Sequence, residues 1–247
     1  MFWRKGKILK AFLFALTKLW FPIIVIGNMD IDFIRRVIPM YQKAAILTIR
    51  IGLTGIVFSA IVGLFCAVIR LRKIPIACAV VKAYTELSRN TPLLIQLFFL
   101  YFAFPKAGIR LSSQQCAIIG LSFLGGSYMA ETFRSALETV GKVQIESGRC
   151  IGLSELQIVR YVILPQAVAV SIPGICANVM FLIKETSMFS AVALADLMFV
   201  AKDLIGLYYK TDESLLLLVI SYFILLLPIA VLSSLAERKL RNAQFGS

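Results

Sequence analysis

The chain contains no histidine. That excludes imidazole triads, imidazole metal sites and imidazole proton relays. Cysteine is present but unpatterned. Cys66, Cys78, Cys116, Cys150 and Cys176 lie far apart, and no C-x-x-C occurs. Metal and redox roles are therefore not indicated, and small apolar packing is the plain reading. No G-x-x-x-x-G-K-[ST] phosphate loop is present, so the chain has no nucleotide site of that type. There is no short internal repeat and no low-complexity linker, which argues for one domain.

Acidic residues are scarce, 13 Asp+Glu against 26 Lys+Arg, for a net charge of +13. In a soluble protein that excess would suggest nucleic acid, but no nucleic-acid module occurs. Soluble domains are roughly 45–50% apolar. This chain of 247 residues is 60% hydrophobic, with a mean hydropathy of +0.87. It reads as an all-α integral membrane protein whose basic residues obey the positive-inside rule.

A helix needs about 20 residues to cross the roughly 30 Å hydrocarbon layer. Candidate spans are 8–27, 44–69, 90–104, 114–137, 163–185 and 214–236. Arg4, Lys5, Lys7 and Lys10 precede the first, and Arg70, Arg72, Lys73 and Lys82 follow the second. Lys142, Arg149 and Arg160 lie between the fourth and fifth, and Arg238, Lys239 and Arg241 follow the last. Six spans with both termini inside place every cluster in the cytoplasm. Lys10, Lys18 and Pro22 interrupt the first span, so a signal peptide or an interfacial helix competes there. Segment 44–69 carries Gly55, Ser59, Gly63 and Ala67 on one face, a stripe that lets helix backbones approach closely in lipid. Segment 90–104 is short, about 22 Å of helix, and must recruit upstream residues or bend at Pro92. Upstream, 74–87 is amphipathic, with Lys82 and Glu86 at i,i+4, and is expected on the cytoplasmic surface.

The most informative stretch is the polar break at 141–162. Val143–Ile151 has helical periodicity, Gly152 suits a left-handed stop, and Ser154-Glu155-Leu156-Gln157 fits a capping box. Pro165 fits the first turn of the next span. The pattern is helix, glycine elbow, helix, span. Such an element either docks into a partner's cleft or lies on the lipid surface.

Glu146, Gly152 and Ile163-Leu164-Pro165 resemble the signature cytoplasmic loop of ABC importer permeases, with Ser147 and Gly148 replacing two alanines. Tyr84 to Leu97, including Glu86, Arg89 and Thr91-Pro92-Leu93, resembles the polar amino-acid subfamily, with Asn90 for the usual glycine. Ser127 to Arg134 and Lys184-Glu185-Thr186-Ser187 are similar to two further motifs of that subfamily, with Glu185 for its usual aspartate. The resemblance covers about 40–240. It implies a type I ABC importer transmembrane domain of about six spans, five core plus one N-terminal. Residues 1–35 would be a basic flank and extra span, 36–240 the permease domain and 241–247 a cytoplasmic tail.

The resemblance also implies partners: an ABC ATPase dimer, a second permease copy or paralogue, an extracytoplasmic solute-binding protein and a polar amino acid. The chain itself would do no bond chemistry and hold no cofactor, ATP and Mg being bound by the ATPase. The location implied is the bacterial inner membrane, in contact with lipid and not with nucleic acid. Glu146, Ser147, Gly148, Arg149, Gly152 and Pro165 would carry ATPase coupling. Charged groups within spans are costly and mark function by default. Glu86 with Arg89, and Glu131 with Arg134, are i,i+3 and are expected as structural pairs. Asn178, Lys184, Glu185, Thr186, Ser187 and Asp196 are expected along a substrate path, with a gate or subunit interface as the competing role for the charges. The competing function is an ion-coupled carrier, which would need two related halves that are not visible. An intramembrane enzyme has no catalytic constellation here.

Overall fold

The computed structural model describes residues 29–245, with side chains to Ala236. The expected span at 8–27 and its basic flank lie outside the described residues. All described elements are helical. They are α1 (Ile31–Leu71), α2 (Pro75–Arg89), α3 (Leu93–Phe98, continued by a π turn and a 3-10 turn to Ala107), α4 (Ser113–Glu138), α5 (Lys142–Cys150), α6 (Glu155–Ile158), α7 (Leu164–Glu185), α8 (Leu197–Tyr208) and α9 (Thr211–Phe245). A π turn at Val159–Ile163 joins α6 to α7, and a 3-10 segment at Thr186–Val192 follows α7.

Four of these segments are long and apolar enough to cross a membrane: Ile31–Leu71, Ser113–Glu138, Glu155–Val192 and Thr211–Ala236. Residues 93–107 form a shorter apolar helix. The four long segments contain the expected spans 44–69, 114–137, 163–185 and 214–236. The 90–104 region is not one straight span. Asn90-Thr91-Pro92 breaks it, and Gln96 mends the break by donating to the Ser88 and Thr91 carbonyls at 3.1 and 3.0 Å. Proline cannot donate its own N–H and bars a regular turn before it.

The α1–α4 pair is the spine. Lipid gives helices no hydrophobic drive to associate, so close van der Waals contact and hydrogen bonds must hold them. The small stripe supplies both. A Cβ at Gly63 would sit 2.4 Å from Met129 Cβ and 2.8 Å from the Ala130 nitrogen. Ser59 Oγ donates to Gly55 O and Leu121 O, at 2.7 and 3.2 Å. Ile51, Leu93, Leu97, Leu121, Leu182 and Phe189 fill the core beside this pair.

Helix α2, expected as a surface helix feeding the next span, packs one face against α4. Its Val81, Thr85 and Ser88 face is buried. Tyr84 Oη and Ser88 Oγ both donate to Phe123 O in α4, at 2.6 and 2.9 Å. The side that meets α4 is thus largely polar, whereas Ile76, Val80 and Leu87 are 81, 64 and 64% exposed.

A second, smaller core joins α1, α8 and α9 through Phe33, Val37, Tyr41, Leu197, Leu204 and Leu218. Asp30 caps α1 through Phe33 N–H and pairs with Lys210 at 3.3 Å. Lys210 also approaches Glu213, at 4.0 Å. The Phe33 N–H, then Lys210, holds the Asp30 carboxyl below its ordinary 3.8.

Candidate functional site

Two regions carry polar structure that packing alone does not require. The first is the elbow formed by α5 and α6. Helix α5 stops at a left-handed Gly152, φ +85°. Gly152 N–H donates to Arg149 O and Leu153 N–H to Gly148 O, at 3.0 and 3.1 Å. These two bonds form a Schellman motif and satisfy carbonyls that a helix end leaves open. Ser154 and Gln157 then cap α6 reciprocally.

The elbow is fixed to α7. Val140, Ile158 and Ile163 form a small buried core with Leu137, Ile145 and Leu153 around it. Gly148 is buried, and a Cβ there would lie 3.2 Å from Ile158 Cγ1. Glycine at this position therefore lets α5 and α6 close on one another. The Gly148 departure from the alanine pattern weakens helix propensity by about 1 kcal/mol but gains this contact. Gln166 Nε2 donates to Gln144 Oε1 at 2.8 Å, tying α7 to α5. Arg149 Nε donates to Glu155 Oε1 at 2.8 Å across the bend. That pair is exposed, so it sets geometry more than stability.

Pro165 sits in the first turn of α7, and α7 runs unbroken through Pro173. Outward, the elbow presents Val143, Glu146, Ser147, Ile151 and Leu156. Val143, Ile151 and Leu156 are 73–79% exposed, an apolar face on an otherwise polar bend.

The second region is a cavity of about 590 Å³ between the ends of α1, α2 and α4 nearest the elbow. Arg70 Nη1 reaches Glu131 Oε2 at 3.1 Å, and Arg70 Nη2 donates to Thr85 Oγ1 at 3.0 Å. Arg134 pairs with Glu131 and with Glu138. The expected Glu86–Arg89 pair is not formed. Glu86 approaches Lys82 at 3.8 Å, one turn back on α2. The Arg89 guanidinium instead lies 5.1 Å from the centroid of the Tyr128 ring on α4.

The residues expected along a substrate path divide. Asn178 Nδ2 donates to Thr132 Oγ1 at 2.9 Å, inside the α4–α7 contact. Asp196 is fully buried, and its Oδ1 accepts from Phe199 N–H to cap α8. Its other carboxylate oxygen, Oδ2, has no hydrogen-bond partner among the described residues. Asp196 is enclosed in the packing, and Asn178 is half-buried at the α4–α7 contact. Thr186 is buried too, and its hydroxyl donates to Ile183 O. Ser187 Oγ donates to Lys184 O. Lys184 is exposed and Glu185 half-buried, and neither is ion-paired among the described residues. With α7 continuous, they stand about 29 Å along the helix from Pro165.

Sequence reasoning did not find the Arg70–Glu131 bridge or the Arg89–Tyr128 stack. Their partners are separated by 61 and 39 residues, and no local spacing rule reaches across helices.

Comparison with known proteins agrees with this geometry. Residues 55–242 match the family profile described as "Binding-protein-dependent transport system inner membrane component". The probable amino-acid permease YxeN of Bacillus subtilis (strain 168) is 31% identical over 86% of this chain and 96% of its own. The glutamine transport system permease GlnP of Escherichia coli (strain K12) is 29% identical over 83% and 94%. The crystal structure of an amino acid ABC transporter with histidines superposes with a TM-score of 0.80. That match is 26% identical and covers 86% of this chain and 99% of that one. An inward-facing methionine transporter, MetNI, shares the fold at a TM-score of 0.66 and 21% identity.

Proposed function

Because the chain belongs to the binding-protein-dependent transport system inner membrane component family, we propose that it is the permease subunit of an ATP-driven importer of a polar amino acid. The observation that carries the mechanism is the rigid elbow joined without interruption to α7. Its Schellman stop, its capping box, the Ile158–Gly148 contact and the Gln144–Gln166 bond leave little slack. A displacement of α5 is therefore transmitted to α7 as movement of one body.

The partner on the elbow is an ABC ATPase dimer, which would receive Val143, Ile151 and Leu156 in a cleft, with Glu146 beside them. ATP and Mg would be bound there and not on this chain. The elbow would face the cytoplasm of a bacterium, and both termini would lie on that side of the inner membrane. A second permease, identical or paralogous, would complete the path, and an extracytoplasmic solute-binding protein would deliver the amino acid. Binding of ATP by the partner biases a two-state equilibrium between inward- and outward-facing forms, which is all that alternating access requires. Lys184 and Glu185 are the charges left open on the α7 side for substrate or for the second permease.

Reconstitution of permease, ATPase and binding protein in proteoliposomes tests this. Uptake of an L-amino acid that needs all three, and ATP on the ATPase side, is expected. Uptake that persists without the ATPase but collapses with an ion gradient would overturn it in favour of a carrier.

A further inference from the structure

The cavity at the elbow end of the bundle holds a charge imbalance that the fold does not use. Its cations are Arg70, Lys82, Arg89 and Arg134, and its carboxylates are Glu86, Glu131 and Glu138. The pairing is uneven. Glu131 serves Arg70 and Arg134, Glu138 serves Arg134, and Glu86 serves Lys82. Among the described residues, Arg89 has no carboxylate within salt-bridge distance.

Two features hold Arg89 in place without one. It lies in the last turn of α2, where the helix dipole favours a cation. Its guanidinium is held over the Tyr128 ring, and Tyr128 packs in turn against Phe181 of α7, with ring centroids 5.0 Å apart. With its central carbon 5.1 Å from the ring centroid and no carboxylate partner, the guanidinium has N–H donors to spare for another ligand, and its planar fork matches a carboxylate in bidentate fashion. Lys184 and Glu185, the open charges of α7, begin one helical turn beyond Phe181. The cavity volume falls in the roughly 300–1,000 Å³ range of small-molecule sites.

We propose that Arg89 binds the α-carboxylate of the transported amino acid in this cavity, with Tyr128 as the positioning residue that holds the guanidinium. The inference rests on the amino-acid importer reading. The same fork would accept the phosphate of an anionic lipid headgroup, so the test separates the two sources.

The permease–ATPase complex, nucleotide-free and without binding protein, is placed in vesicles of phosphatidylethanolamine and phosphatidylglycerol. The twenty radiolabelled L-amino acids are screened for uptake by the full complex, and the best is used as the binding probe. Wild type is expected to bind this acid at least tenfold more tightly than its α-carboxamide. Arg89→Gln is expected to lose at least tenfold in affinity for the acid and to lose the preference over the amide. Arg89→Lys is expected to keep part of both. Equal binding of acid and amide by wild type would overturn the inference without reference to any variant's folding. So would an Arg89→Gln complex that keeps the preference. Loss of binding by wild type in pure phosphatidylcholine, to the level of the variant, would assign Arg89 to the headgroup and overturn it. Uptake of none of the twenty by wild type would instead sink the importer reading on which the inference stands.

Discussion

At the scale of single residues, Gly152 shows most plainly what the backbone demands. Nothing lies within 4 Å of a Cβ built there, yet its φ is +85°. The constraint is conformational and not steric crowding. An L-residue in the left-handed region costs about 1–2 kcal/mol, and a β-branched one more. Gly152→Val is therefore expected to cut ATP-driven uptake by more than tenfold, and Gly152→Ala by less, in the same proteoliposome assay. Normal uptake by the valine variant would show that the elbow does not need this turn. Asp196 carries a different prediction. As a buried cap of α8 it contributes about 1 kcal/mol. Asp196→Ala should lower the thermal midpoint of the purified complex while leaving the ranking of transported amino acids unchanged. Gly152 and the Ser154–Gln157 box were legible in the sequence because their partners lie within a few residues. Arg89 was not, since its ring is on another helix. The pair expected with Glu86 obeyed the spacing rule and lost to the aromatic face.

At the scale of elements, the small-residue stripe of α1 was legible because its four-residue period survives without any knowledge of the partner. Its consequence is specific. Gly63→Ala drives a methyl into Met129 and the Ala130 backbone, and overpacking of this kind costs about 1–3 kcal/mol. Gly141→Ala meets nothing within 4 Å, and Gly141 has an extended backbone that any residue adopts. Thermal unfolding should fall clearly for the first and stay near wild type for the second. The Asp30–Lys210 link between α1 and α9 gives a pH prediction. The Asp30 carboxyl is depressed, so its stabilisation is complete above the ordinary 3.8 and is lost as pH falls through its lower folded value. The stability gap between wild type and Lys210→Ala should be constant from neutral pH to about pH 5 and close only on stronger acidification. What the sequence did not disclose at this scale was α2. Its packed face carries Thr85 and Ser88 beside Val81, and the Tyr84 and Ser88 hydrogen bonds to Phe123 O join residues 39 and 35 positions apart, beyond any local pattern.

At the scale of the whole molecule, the segments long enough to cross a membrane were readable from hydropathy, and their family from four ordered motifs. The assembly of those spans around an α1–α4 spine was not readable, because contacts such as Gly63 with Met129 join residues remote in sequence. The central claim is that the elbow is the surface on which an ATPase acts. The most direct measurement is site-specific photo-cross-linking from Ile151, 78% exposed on the elbow, in membranes holding the full complex. Val219, 61% exposed on α9, is the comparison position. The account predicts a covalent permease–ATPase adduct from Ile151 and none from Val219. An absence of ATPase adduct from Ile151, or equal adducts from both positions, would contradict it.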